Sequence, residues 1–116
     1  MSLMGTEKSS RTKITVLRGF DTAEVFKEPP IKARYSGPCP LHKVGQIFSV
    51  DDVRPDGFCP YAWDALFPTL MTLRFGGDFS EWYDDAGTAV ISCPDGLRPV
   101  IFKLERETPK TESPSH

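Results

Sequence analysis

The chain has 116 residues, 39% of them hydrophobic and 26% charged, with 14 basic against 16 acidic side chains and a net charge of −2. That is the size and composition of one globular domain with one core. The interleaved charges exclude the basic stripe of a nucleic-acid binder, and no apolar run approaches the roughly 20 residues that span a bilayer.

Met1-Ser2-Leu3 ahead of a second methionine, Met4, reads as an expression leader, and no basic-then-apolar signal pattern follows it. Residues 1–12 are expected to form a disordered tail, 13–106 a single α+β domain, and 107–116 a second disordered tail, polar and proline-bearing. Within the domain, Lys13 to Arg18 alternates β-branched residues and predicts a strand. Asp21 is placed to cap a short helix over Thr22 to Lys27, which Glu28-Pro29-Pro30 ends. The proline-rich stretch to Pro40 predicts irregular chain, and Ile47 to Val50 a second strand.

Pro60 to Phe75 is the most apolar segment. Its apolar residues fall on nearly every face, which predicts a buried central helix, kinked or divided at Pro68 and closed by Gly76-Gly77. Thr88 to Ser92, the turn residues Pro94-Asp95-Gly96 and the alternating Arg98 to Arg106 predict a β-hairpin, with Val100, Phe102 and Leu104 on one face. The expected fold is α+β: a small antiparallel sheet with this C-terminal hairpin, packed on one kinked, largely buried helix.

The feature that asks for a chemical reading is that all three cysteines precede proline: Cys39-Pro40, Cys59-Pro60 and Cys93-Pro94. With 11 prolines in 116 residues, against an average near 5%, such a coincidence arises on the order of once in a thousand chains. Each proline holds its cysteine in an extended corner at an element boundary. The odd count and the missing signal pattern fit free thiols in a reducing cytoplasm.

Cys39 and His42 stand at C-x-x-H spacing, so Cys39, His42, Cys59 and Cys93 form a candidate set of metal ligands. Soft thiolates with an imidazole suit zinc, and three thiolates suit an iron–sulfur cluster less well. Cys59 opens the long helix, where the helix dipole can activate a thiol, so a Cys59 nucleophile with His42 as base is a second reading. Buried structural cysteines are a third.

Asp78, Glu81, Asp84 and Asp85 match no calcium-loop spacing and predict a solvated acidic loop around Trp82 and Tyr83. Asp64 and Arg74, on the apolar helix, are candidates for a site or a buried ion pair.

The runs Gly37-Pro38-Cys39-Pro40, His42-Lys43-Val44-Gly45, Gly57-Phe58-Cys59-Pro60, Leu73-Arg74-Phe75-Gly76-Gly77, Cys93-Pro94-Asp95-Gly96 and Arg98-Pro99-Val100-Ile101-Phe102 occur in this order. The combination resembles a family of small uncharacterised prokaryotic proteins across Lys13 to Arg106. The resemblance implies that the three cysteines belong to a shared pattern, more firmly than His42, and it implies no particular activity. The functional expectation is a small cytoplasmic metal-binding or redox-active thiol protein. Its alternative is a protein–protein interaction module with structural cysteines.

Overall fold

A computed structural model describes residues 10–107. Four strands, β1 (Thr12–Gly19), β2 (Ile47–Val50), β3 (Thr88–Ser92) and β4 (Val100–Arg106), form one antiparallel sheet in the order β2-β1-β4-β3. Two helices complete the element set, α1 (Thr22–Val25) and α2 (Pro60–Arg74).

The strands form because their side chains alternate between two faces. Thr12, Ile14 and Val16 of β1 and Val100, Phe102 and Leu104 of β4 all point to the buried face. Register turns these pairs into rows: Ile14 lies opposite both Phe48 and Leu104, and Leu104 opposite Ala89, so one apolar row crosses all four strands. A bulge between Val16 and Arg18 leaves Leu17 outside the ladder and exposed.

Helix α2 covers the buried face. Ala62, Leu66, Leu70 and Leu73 recur every three or four residues, and they are buried together with Trp63. Each fully buried Leu or Phe contributes about 1.5–3 kcal/mol of transfer free energy, so this layer dominates the stability of the domain. The helix is continuous through Pro68 rather than divided there. It differs from its sequence-based expectation in burying one side only: Tyr61, Asp64, Pro68 and Thr72 are exposed. Pro68 is tolerated because it lies on the water side, where solvent can satisfy a carbonyl that lacks its usual N–H donor.

That geometry also settles Asp64 and Arg74. Asp64 is exposed, and Arg74 pairs with Asp52 at 3.3 Å, so the two do not form a buried pair.

The expected terminal tails lie mainly outside the described residues. Where their inner ends are described they are bonded: the Ser10 N–H donates to the Arg74 carbonyl at 2.9 Å, and the Glu107 N–H to the Arg11 carbonyl at 2.8 Å. Thr12 already belongs to β1.

Candidate thiol cleft

Three corners far apart in sequence are brought to one place. Cys39, Cys59 and Cys93, each half-buried, line a single cleft of about 370 Å³. Leu41, Tyr61, Pro94, Asp95 and Arg98 complete its walls. All three cysteines are free thiols.

Each corner is positioned by different local chemistry. Cys39 follows Gly37, whose φ of +80° only glycine adopts without strain. The Gly37 N–H donates to the Asp21 carboxylate at 3.2 Å, and the Arg98 guanidinium donates to the Pro38 carbonyl at 3.0 Å. Cys59 follows Gly57, at φ +85°, and is the N-cap residue of α2. Pro60 then takes the first helical position, where its missing N–H costs nothing. The two segments thus share one device, a left-handed glycine two residues before a Cys-Pro pair.

Cys93 uses another device. It directly follows β3, its N–H donates to the Val100 carbonyl at 2.9 Å, and its sulfur accepts the Val100 N–H at 3.3 Å. The hairpin turn beyond it is held by Asp95, whose carboxylate accepts the N–H groups of Leu97 and Arg98 at 2.8 and 3.1 Å.

His42 is not on the cleft wall. It is 7% exposed and sits among the rings of Phe48, Phe58 and Phe102 at centroid distances of 5.7, 4.9 and 5.7 Å. Its Nε2 accepts the Cys59 N–H at 3.2 Å, which assigns the neutral ring with the proton on Nδ1. Burial lowers its pKa below the ordinary 6.5; the nearby Gln46 side chain opposes this. Nδ1 is enclosed without a hydrogen-bond partner. The lone pair that a base or a metal ligand would use is engaged by backbone.

The four sequence-derived candidates therefore divide. The three thiols share the cleft, while the imidazole lies in the core and supports Cys59 from behind. Among the described residues, no group of three or more His, Cys, Asp or Glu side chains is arranged to hold a metal ion.

The acidic loop is a local structure of its own. Glu81, Asp84 and Asp85 are exposed, and Asp78 accepts the Ser80 N–H at 3.1 Å. That bond, with weaker help from Arg106, holds the Asp78 carboxyl below its ordinary range. Trp82 is 78% exposed and stacks on Phe79, whereas Trp63 belongs to the core.

Arg98 is a cleft residue to which the sequence motifs gave no site role, although it opens the run Arg98-Pro99-Val100-Ile101-Phe102. It looks like an ordinary charged residue entering a strand. Its proximity to Cys93-Pro94-Asp95-Gly96 was the available signal, and its bond to Pro38 is what ties the first and third corners together. Among the described residues, no helix is long and apolar enough to cross a membrane. Comparison with protein-family models, with curated proteins and with solved structures gives no match.

Proposed function

We propose that this is a small redox-active thiol protein whose working site is the cleft shared by Cys39, Cys59 and Cys93. The observation that carries the reading is their convergence. Three residues from a loop, a helix start and a strand end, each placed by its own set of hydrogen bonds, line one cavity of about 370 Å³. Cysteines that served only as small apolar filler would have no need to face a common space.

The chemistry such a cleft supports is thiol–disulfide exchange. A thiolate on its wall attacks a disulfide, and a second thiol within the same cleft is available to resolve the mixed disulfide. Reducing cytoplasm is the compartment this reading implies, and a nucleic-acid or membrane partner is no part of it. The resemblance to the small prokaryotic family belongs to the same reading, since its motifs include all three corners.

A second reading is a soft-metal site, zinc before an iron–sulfur cluster, because three thiolates are a suitable donor set. It needs the side chains to close around one point, and His42 would have to give up its bond to the Cys59 N–H.

The test is alkylation of the folded protein by iodoacetamide at neutral pH, with metal content measured on protein purified without chelator. Cysteines that react without denaturant, in metal-free protein, are the expected result. Thiols that react only after unfolding would sink the redox reading and leave an interaction module with structural cysteines. Zinc or iron at about one equivalent would replace it by the metal reading.

A further inference from the structure

Arg98, like Arg54 and Arg106, is held by backbone carbonyl rather than by carboxylate, and of these three it is the one on the cleft wall. Arg11, Lys13, Arg18, Arg74 and Lys103 each meet a carboxylate within 4 Å, and Arg98 meets none among the described residues. Its guanidinium is held at one end, where Nη2 donates to the Pro38 carbonyl at 3.0 Å. Nε is enclosed without a partner, and Nη1 makes no bond to the described residues. The Asp95 carboxylate, also on the cleft wall, is taken up by the turn N–H groups of Leu97 and Arg98 instead. A half-buried cation with a free Nη1 therefore lies on a cleft wall whose one carboxylate, Asp95, is engaged by the turn and whose other lining is the three thiols, Leu41, Tyr61 and Pro94.

We propose, building on the thiol reading above, that the cleft selects small disulfides that carry a carboxylate, with Arg98 as the group that binds it. A guanidinium is suited to a carboxylate by its planar fork of donors, and its first bond, to Pro38, already fixes its orientation. About 370 Å³ is within the range of small-molecule pockets. The exchange step is balanced without a further reactant. A cleft thiolate attacks one sulfur of the ligand and forms a protein–ligand disulfide. The ligand's own S–S bond breaks, and its electron pair leaves with the second sulfur, which takes up the proton the protein thiol released.

The experiment follows mixed-disulfide formation by mass with three probes: dithiobis-nitrobenzoate, which is dianionic, hydroxyethyl disulfide, which is uncharged, and cystamine, which is dicationic. Each rate for the unmodified chain is divided by the rate for Arg98→Gln, so that the probes' intrinsic reactivities cancel. The expected ratio is about tenfold or more for the dianion, near unity for the neutral probe and below unity for the dication. Arg98→Lys keeps part of the preference, because it keeps the charge and loses the fork. Should Arg98→Gln fail to fold, the unmodified chain still decides: added salt should slow the dianion relative to the neutral probe and speed the dication. Equal ratios for all probes, or rates indifferent to salt, would overturn the carboxylate preference alone. Failure of every probe to react with the folded chain would overturn the thiol reading and this inference with it.

Discussion

Cys59 stands between two layers with opposite demands. Behind it, Phe58 is fully buried and packs edge-on against Phe48 at 4.9 Å and Trp63 at 5.9 Å, with His42 tilted over it at 4.9 Å. In front of it lies the cleft, where Tyr61 is 72% exposed and the three cysteines, packed against the core on their inner side, are only half-buried. One residue of chain separates a closed aromatic core from an open thiol site. The core layer fixes the backbone of the corner, so the sulfur can stay accessible without being mobile. Placement and chemistry are thus assigned to neighbouring residues.

The largest effect that separates the layers is Phe58→Ala. Removing a ring that packs against four others leaves a cavity and should cost about 3–5 kcal/mol. Cys59→Ser exchanges a half-buried sulfur for oxygen at a site open to water and should cost less than about 1 kcal/mol. Denaturant melts of the two variants decide the matter. If the serine variant is as destabilised as the alanine one, the sulfur is a core atom and the division between layers fails.

His42 is the next test, because it belongs to the core layer and supports the cleft layer. In His42→Phe the ring remains apolar and planar, but the Cys59 N–H loses its acceptor, at a cost of about 1–3 kcal/mol near neutral pH. The pH dependence carries the sign. Burial lowers the folded pKa of His42 below the ordinary 6.5, so the unfolded chain binds the proton first. The stability from neutral His42 is therefore complete above about pH 6.5 and is lost as pH falls below it. Asp51 and Asp78 are both held below their ordinary 3.8, chiefly by backbone N–H groups of Asp52 and Ser80, so their contribution is lost only in more acid solution. Melting temperature measured between pH 7 and 5 should fall for the unmodified chain and stay flat for His42→Phe. A flat profile for both would show that the imidazole is not buried neutral.

The fold was legible where local pattern and tertiary role agree. The alternation of Val100, Phe102 and Leu104 marks β4 because the sheet buries one face only. The three-to-four spacing of Ala62, Leu66, Leu70 and Leu73 was present too, but Tyr61, Phe67 and Pro68 blurred it, since apolar residues are free to lie at the surface. The cleft was half legible. Proline after each cysteine marked three stiff corners, yet their convergence depends on sheet order and on bonds such as Arg98 to Pro38 across 60 residues. For His42, C-x-x-H spacing states which residues are near each other and says nothing about which way the imidazole turns. Leu41 and His42 go opposite ways, the leucine outward to the cleft mouth and the histidine inward. That inversion of hydrophobic expectation could not be read from residue type.

The last effect is the most specific to the cleft. Gly37 and Gly57 hold equivalent positions before two of the corners, both at positive φ, and a Cβ at either would meet no neighbouring atom within 4 Å. Substitution by alanine is therefore a purely conformational change, with a cost of about 1–2 kcal/mol for a left-handed residue bearing a side chain. The strain can be relieved locally by turning the corner, and the sulfur two residues on would turn with it. Gly57→Ala should alter the alkylation rate of Cys59 more than that of Cys39, and Gly37→Ala should do the reverse. Cys93, whose sulfur is held by the Val100 N–H within the hairpin, should respond to neither. If both glycine variants change all three rates together, the corners are one cooperative unit. Independent changes would mean that the cleft is assembled from three separately placed thiols.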